Sequence, residues 1–242
     1  MAEPALLVVR GLTKRFGGIV ANDAIDLEVA SVGVHAVIGP NGAGKTTLIA
    51  QLCGEVAPDA GSIHFAGEDI TAWRPHRRAR AGLLRSFQIT SVMPTLTALE
   101  NAALAAARGR ARNVWRPLVA SREAPAALER AGLAGREHVP AHTLSHGERR
   151  QLELAMVLAP QPRLVLLDEP AAGTGKNEAA RLVELIRGLG AERSILLVEH
   201  DMDLVFALAG RITVLAEGRT IISGTPQQIK DNADVRRAYL GG

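Results

Sequence analysis

Short aliphatic runs bounded by turn residues recur in both ends of the chain and predict β-strands. The predicted strands are Leu6–Val9, Ile25–Val29, Val34–Ile38, Ser62–Phe65, Leu164–Leu167, Ile195–Val198 and Ile212–Leu215, with Thr220–Ile222 completing a hairpin across Glu217-Gly218. Strands made of uninterrupted aliphatic residues are typical of a parallel sheet that is covered by helices.

The middle of the chain has a different pattern. Residues from about Thr97 to Leu158 are rich in Ala, Leu, Glu and Arg and predict helices rather than strands. A further amphipathic helix is predicted over Glu178–Leu189, because its leucine and isoleucine side chains fall on one helical face. The pattern therefore predicts an α/β core that is interrupted by a helical subdomain.

Composition narrows the class of protein but selects no partner. Of 242 residues, 47% are hydrophobic and only 3% aromatic, so the core is expected to consist of Ala, Val, Leu and Ile. The net charge of +3 is compatible with nucleotide, nucleic acid or a membrane surface. Cys53 is the single cysteine, so no intrachain disulfide can form, which fits a reducing cytoplasm; we expect a buried, inert thiol. Since the chain contains no uncharged apolar stretch of about 20 residues, a membrane role would depend on partners.

A glycine-rich segment after the run Val34–Ile38 has the G-x-x-x-x-G-K-[ST] spacing of a phosphate-binding loop. Glycines let the backbone N–H groups turn toward phosphate oxygens, and the following helix start adds positive potential. Lys45 is expected to reach the outer phosphates and the Thr46 hydroxyl to hold Mg²⁺. The predicted phosphate-contacting residues are Gly39, Pro40, Asn41, Gly42, Ala43, Gly44, Lys45, Thr46 and Thr47.

Two adjacent carboxylates follow the buried run Leu164–Leu167. Neighbouring residues on a strand point to opposite sides, so Asp168 and Glu169 can take separate roles. We expect Asp168 to bind Mg²⁺ and Glu169 to orient and deprotonate the attacking water. A second glycine-rich segment, Gly173–Lys176, lacks the first glycine of the phosphate-loop spacing and is interpreted as a loop.

The segment Leu144–Glu148, which reads LSHGE, resembles the signature motif of ABC ATPases and lies shortly before the acid pair, as it does in that family. Read from its residues alone, Ser145 and Glu148 form an S-x-x-E capping box that opens an amphipathic helix ending near Leu158. The resemblance implies that Ser145, Gly147 and Glu148 take part in nucleotide binding.

Three further positions match the ABC family in order and spacing. Gln88 falls where the family has its Q-loop, His200 where it has its switch histidine, and Phe16 where an aromatic ring stacks on adenine. The resemblance covers essentially the whole chain. It implies ATP and Mg²⁺ as ligands, with Glu169, His200 and Gln88 in catalysis, Thr46, Gln88 and Asp168 at the metal, and Phe16 at the base.

The family also implies a fold and an assembly. Residues 1–242 would form one nucleotide-binding domain, with an ATP-binding core (1–88 and 159–242) and a helical signature subdomain (89–158). The fold class is α/β: a phosphate-loop NTPase core with a mixed, largely parallel sheet, helices on both faces and an antiparallel β subdomain. Two such subunits would bind ATP between them on the cytoplasmic face of the inner membrane and drive transmembrane permease subunits, fed indirectly by a substrate-binding protein.

Within the family, the segments RSFQ, LSHGE, LDEPAAG and LLVEHDMDLVF and the ending AYLG resemble ATP-binding subunits of branched-chain amino-acid importers. Gly175 departs from the pattern, because the family commonly has an aspartate there that serves communication between the two ATP sites. One alternative is the ATPase of lipopolysaccharide export, which the GERR sequence at 147–150 resembles; another is a soluble ABC ATPase of translation or DNA repair.

Features typical of those soluble proteins are missing. Translation types usually carry two cassettes and repair types a long coiled-coil insertion, and this chain has neither, so nucleic acid is not an expected partner. A GTPase is not expected either, because the chain has no N-K-x-D guanine-reading motif. The basic run Arg74–Arg80 is interpreted as a solvated helix face rather than a binding surface, because few aromatic residues interleave it.

Overall fold

The computed structural model describes residues 5–86, 92–107, 122–172 and 175–235. The strands in chain order are β1 (Leu7–Phe16), β2 (Ile19–Val29), β3 (Gly33–Ile38), β4 (Ala60–Phe65), β5 (Glu68–Asp69), β6 (Leu83–Arg85), β7 (Leu164–Asp168), β8 (Ser194–Val198), β9 (Arg211–Ala216) and β10 (Arg219–Gly224). The helices are α1 (Lys45–Cys53), α2 (Pro75–Ala81), α3 (Ala98–Ala107), α4 (Glu123–Arg130), α5 (His146–Leu158), α6 (Lys176–Gly190), α7 (Met202–Leu208), α8 (Pro226–Asp231) and α9 (Ala233–Val235).

The strands form two sheets. A six-stranded sheet has the order β10-β9-β3-β8-β7-β6, in which every pair except the β9–β10 hairpin is parallel. A four-stranded antiparallel sheet has the order β2-β1-β4-β5. The predicted fold class is therefore confirmed: a mixed, largely parallel sheet with a separate antiparallel sheet.

Successive side chains of the aliphatic strands point to opposite faces of the larger sheet, and each face packs against its own apolar cluster. On β7, Leu164 and Leu166 pack in a cluster with α1 and the antiparallel sheet, whereas Val165 and Leu167 pack with α5 and α6. All of these side chains are buried, as expected for parallel strands between two layers.

Strands β1 and β2 are longer than the sequence pattern predicts. They continue to the turn at Gly17-Gly18, where Phe16 pairs with Ile19 and Lys14 with Asn22. The prediction relied on aliphatic runs and stopped where polar residues begin. An antiparallel strand with one solvent-facing side tolerates such polar residues, so both strands continue through them.

Helices α3, α4 and α5 pack on one another and account for most of the described chain between 97 and 158. Among those residues the only ladder contact is an isolated bridge between Thr97 and Pro140. The apolar cluster of these helices is continuous with Leu167 and Leu197 of the larger sheet. No helix in the described ranges is both long and apolar enough to cross a membrane.

The basic run at α2 is only partly a solvated face, which corrects the sequence interpretation at one position. Arg74, Arg77 and Arg80 are exposed, but Arg78 is buried. Its guanidinium donates to the carbonyls of Gln51, Leu52, Thr71 and Trp73 at 2.6 to 3.1 Å. Arg78 thereby supplies a charged donor to two of the last carbonyls of α1, those of Gln51 and Leu52.

Candidate nucleotide site

The glycine-rich loop after β3 is folded tightly against β2. Gly42 and Gly44 have φ of 82° and 96°, in the left-handed region that favours glycine. A Cβ on Gly44 would lie 2.4 Å from both the Ala21 carbonyl oxygen and the Asn22 side chain. Asn22, which the sequence analysis missed, is fully buried and donates from Nδ2 to the Gly44 carbonyl at 3.1 Å. The loop conformation therefore depends on glycine at 44 and on the asparagine of β2.

Lys45 opens α1 with its ammonium group turned back over the loop. Nζ donates to the Gly39 carbonyl at 2.5 Å and to the Pro40 carbonyl at 3.0 Å. Burial lowers the pKa of Lys45, while the charges of Glu169 and Asp168 oppose that shift. The structure thus brings the phosphate loop and the acid pair together, as the sequence analysis expected.

The rest of the loop leaves the start of α1 open. Ala43 is buried; its N–H donates to the Pro40 carbonyl at 3.1 Å, and its carbonyl accepts from Gly218 at 3.3 Å. Asn41 and Thr46 are exposed. No side chain caps α1, so its first N–H groups are available to an anion.

Asp168 ends β7 and is held by an arginine that the sequence analysis did not single out. Arg85 Nη2 donates to Asp168 Oδ2 at 2.7 Å, and Nη1 to Glu55 Oε2 at 3.0 Å. Burial opposes the charge of Arg85, yet its hydrogen bond to Asp168 raises its pKa. The sequence analysis did not predict the short strand β6, which Arg85 ends, so it had no pattern that pointed to this residue. The hydrogen bond from Arg85 holds the Asp168 carboxylate in place, close enough for its charge to act on the ammonium group of Lys45.

Glu169 does separate from Asp168, but the reason given by the sequence analysis is wrong. Glu169 lies outside β7 and has φ of 47°, a left-handed conformation that is uncommon for a side-chain-bearing residue. Its side chain is 36% exposed, against 3% for Asp168. Its N–H donates to the Val198 carbonyl at 2.8 Å, which ties it to the end of β8.

His200 follows β8 and faces the same carboxylate. Its Nδ1 lies 3.8 Å from Glu169 Oε1, and its side chain is 65% exposed. The preceding residue, Glu199, is buried and accepts from the N–H groups of Ala171 at 3.0 Å and His200 at 3.1 Å. Sequence analysis did not single out Glu199, although a carboxylate at the end of an aliphatic strand needs a partner. Glu199 joins the loop after β7 to the loop after β8.

The signature segment has the predicted capping box. Ser145 Oγ accepts from the Glu148 N–H at 3.3 Å, and Glu148 Oε2 accepts from the Ser145 N–H at 2.8 Å. Glu148 Oε1 also accepts from Arg136 Nε at 2.7 Å. The Ser145 N–H, and then Arg136, hold the pKa of Glu148 below its usual range. This carboxylate therefore orders the start of α5, where Gly147 is half-buried and Ser145 is exposed.

The remaining predicted residues fall at the edges of this arrangement. Phe16 ends β1 with its ring 49% exposed, and the Lys14 ammonium lies 5.5 Å from the ring centroid. The hydrogen bond from Asn22 to the loop places this end of the β1–β2 hairpin beside the phosphate loop. Gln88 lies outside the described residues; the described chain reaches Ser86, whose N–H donates to the Leu166 carbonyl at 2.9 Å.

Comparison with known proteins agrees with this geometry. Residues 22–172 match a family model described as "ABC transporter", so the chain belongs to the ABC transporter ATP-binding family and is an ATPase. Residues 219–242 match a second model, described as "Branched-chain amino acid ATP-binding cassette transporter". Together with the relatives below, this places the chain in the branched-chain amino acid transport ATPase group of that family.

Relatives match over their full length. The high-affinity branched-chain amino acid transport ATP-binding protein BraF of Pseudomonas aeruginosa is 41% identical, with 100% of this chain and 99% of the relative covered. The corresponding protein LivG of Escherichia coli is 37% identical with the same coverage. A lipopolysaccharide export ATP-binding protein, LptB of Acidithiobacillus ferridurans, is 35% identical over 98% of this chain and 97% of the relative.

A solved structure shares the fold. A crystal structure of an ATP-binding cassette of an ABC transporter in its ADP conformation superimposes with a TM-score of 0.85 and 27% identity. The match covers 98% of this chain and 99% of that one. The resemblance drawn from the sequence motifs is confirmed at the level of family and fold.

Proposed function

We propose that this chain powers the import of branched-chain amino acids by binding and hydrolysing Mg-ATP. The observation that carries the substrate assignment is the match of residues 219–242 to the branched-chain cassette model, since it lies outside the shared ATPase motifs. The full-length likeness to BraF supports the same assignment over the exporter alternative, whose relative is less similar.

Phosphate binding is assigned to the loop 39–47. The Lys45 ammonium now rests on two loop carbonyls, and phosphate oxygens would offer it stronger acceptors. The uncapped start of α1 supplies further donors from backbone N–H groups.

The residues present fit Mg²⁺, which is a hard cation and prefers oxygen ligands. Thr46 is exposed at the start of α1, and the Asp168 carboxylate is hydrogen-bonded to Arg85 near Lys45. We assign Thr46, Asp168 and Gln88 to the metal. When bound, Mg²⁺ would neutralise charge on the phosphates.

Glu169 is assigned as the base and His200 as its partner. The Glu169 carboxylate is accessible enough to meet a water, whereas Asp168 is almost fully enclosed. His200 Nδ1, 3.8 Å from Glu169 Oε1, can orient this water and the outer phosphate. Gln88 would complete the catalytic set at the start of the helical subdomain.

The signature is assigned to the ATP of a second subunit. Ser145 and Gly147 lie at the ordered start of α5 and are open to an incoming nucleotide. Because Glu148 is engaged by Ser145 and Arg136, we assign it the role of holding the signature in shape rather than contacting ATP. Phe16 is assigned to adenine.

A groove supports coupling to membrane partners. A cavity of about 700 Å³ separates α2 and β6 from α3 and α5, the boundary at which we divide the core (1–88, 159–242) from the helical subdomain (89–158). It lies next to Arg85, three residues before Gln88. Permease subunits docked there, on the cytoplasmic face of the membrane, would sense the movement of one part against the other. A separate substrate-binding protein would deliver the amino acid.

Uptake of labelled leucine tests the proposal in cells with no other leucine importer. Lys45→Ala removes the phosphate-binding ammonium and should abolish uptake, whereas Lys230→Ala on α8 should retain it. Circular dichroism melting of both variants checks that each is folded. Unchanged uptake with Lys45→Ala would refute the leucine assignment, and a defect in envelope-lipid export instead would support the exporter alternative.

A further inference from the structure

The catalytic Glu169 stands in a short turn rather than in a strand. The turn is closed by a hydrogen bond from the Ala172 N–H to the Glu169 carbonyl at 3.1 Å. Because Glu169 has φ of 47°, its conformation is strained and persists only if surrounding contacts hold it. Glu199 supplies one such contact through the Ala171 N–H.

The second support comes from the helix that begins at the signature. Arg150, on α5, donates from Nη1 to the Ala172 carbonyl at 2.9 Å and from Nη2 to the Glu169 carbonyl at 3.3 Å. One guanidinium thus forms hydrogen bonds to the carbonyls at both ends of the turn. A cleft of about 500 Å³ is lined by the signature segment on one side and by this turn on the other, and Arg150 crosses it.

The path from the signature to the turn is short and rigid. Arg150 lies five residues after Ser145, which corresponds to about 7.5 Å along a helix. The capping box and Arg136 fix the first turn of α5, so a displacement of the signature moves Arg150 with it. A planar guanidinium holds two acceptors in fixed relation, which a lysine ammonium does not.

We propose that Arg150 is a positioning residue that links the signature of this chain to its own catalytic turn. In a dimer the signature meets the ATP of one site while Glu169 serves the other site. The position of the base at one site would then respond to nucleotide at the other, a route that does not require the aspartate that Gly175 replaces. This inference rests on the proposed function, since it takes Ser145 and Glu169 in the roles assigned above.

The test compares Arg150→Gln and Arg150→Lys with Arg181→Gln in the purified transporter. Arg181 lines the same cleft and is exposed, so its variant controls for loss of one positive charge. We expect Arg150→Gln to lower kcat about tenfold with KM for ATP within twofold, because the base is misplaced while the phosphate loop is untouched. The dependence of rate on ATP should lose cooperativity, Arg150→Lys should recover part of kcat, and Arg181→Gln should match wild type.

Amide hydrogen exchange provides a readout that does not depend on turnover. In the nucleotide-free protein, the amides of Glu169 and Ala172 should exchange faster in Arg150→Gln, with no change in a peptide covering 39–47. Unchanged kcat and unchanged exchange in the turn would overturn the inference. So would a loss of ATP affinity as large as the loss of kcat, which would indicate general destabilisation. If the wild-type transporter hydrolyses ATP but does not carry leucine, the substrate assignment falls while this test still decides the role of Arg150.

Discussion

The two adjacent carboxylates differ in backbone conformation and in their surroundings. Asp168 ends a buried strand, and its Oδ2 accepts a hydrogen bond from Arg85 Nη2 at 2.7 Å. Glu169 follows the strand and has a left-handed backbone conformation, with φ of 47°. The left-handed conformation gives Glu169, the proposed base, an accessible position that strand geometry alone would not provide. Strain of this kind costs on the order of 1–3 kcal/mol and is repaid by contacts such as those of Arg150 and Glu199.

Phe16 tests the assignment of the adenine contact. Phe16→Ala should weaken ATP binding by at most about 3 kcal/mol, because stacking of one base on an aromatic ring contributes about 1–3 kcal/mol. The value of kcat at saturating ATP should be nearly unchanged. The ring is half exposed and remote from the reacting phosphate in the proposed site, so it can contribute to binding without affecting chemistry. Isothermal titration with ATP measures the loss. Ile19→Ala, its exposed cross-strand neighbour, serves as the control, and an unchanged affinity in Phe16→Ala would remove Phe16 from the site.

Among the elements, α1 is stabilised at its end by a side chain from another helix. Its start has no side-chain cap, while Arg78 of α2 donates to two of its last carbonyls. Gly54 makes room for that guanidinium, because a Cβ there would lie 2.9 Å from Arg78 Nε. The helix that carries Lys45 therefore depends on α2 for its packing.

Arg78→Met should destabilise the fold by on the order of 3 kcal/mol, because several buried carbonyls lose a charged donor. Urea unfolding followed by circular dichroism measures the free energy. Arg80→Met, on the same helix but exposed, should change it by about 0.5 kcal/mol or less. Equal stabilities for the two variants would show that Arg78 is not a structural residue.

A buried histidine on β3 makes this central strand sensitive to acid. Burial first, and then the charge of Arg211, lower the pKa of His35 from 6.5 to about 4; its Nε2 lies 2.8 Å from Thr213 Oγ1. A lowered folded-state pKa contributes stability that is complete above the unfolded value and is lost as the pH falls through the folded one.

The free energy of unfolding should therefore fall between pH 6.5 and about 4, by on the order of 3 kcal/mol from His35. His35→Gln has no titrating ring, so its stability should decline less over the same range. Urea titrations at several pH values compare the two slopes. Parallel pH dependences for wild type and variant would contradict the role of His35.

At the scale of the whole molecule, the described residues belong to one of the two ATP-binding subunits of the proposed dimer. The phosphate loop, acid pair and His200 meet in one chain, while the signature at the start of α5 is assigned above to the nucleotide of a second chain. Under the proposed function, a complete site would require a second subunit. Hydrolysis would end the nucleotide bridge between the two chains.

Glu169→Gln should remove the base while leaving the phosphate loop intact. Turnover is expected to fall by about 10²–10⁴-fold, with ATP binding retained. Gel filtration with ATP and Mg²⁺ should then show a dimer that disappears with ADP. Hydrolysis near the wild-type rate, or a monomer with ATP bound, would contradict the assigned base or the proposed dimer.

The amino-acid sequence by itself determined the features that depend on local patterns. Aliphatic runs predicted the buried strands, the 39–47 spacing predicted a loop before α1, and Ser145 with Glu148 predicted the capping box, all of which the structure contains. These predictions hold because an aliphatic run, a capping box and the glycine spacing of a loop are all patterns among residues that lie close together in the chain.

Tertiary structure decided which charged residues act together. Arg85 and Asp168 are 83 positions apart, and Arg150 reaches a turn 19 residues away, so no local pattern pairs them. The sequence pattern predicted that Arg78 is solvent-exposed like its neighbours. In the structure it is buried, because α2 packs on the end of α1. The left-handed Glu169 likewise depends on contacts from β8 and α5. Long-range packing determines these partners. A buried charge costs free energy unless it is hydrogen-bonded, and the fold decides which donors and acceptors lie within reach.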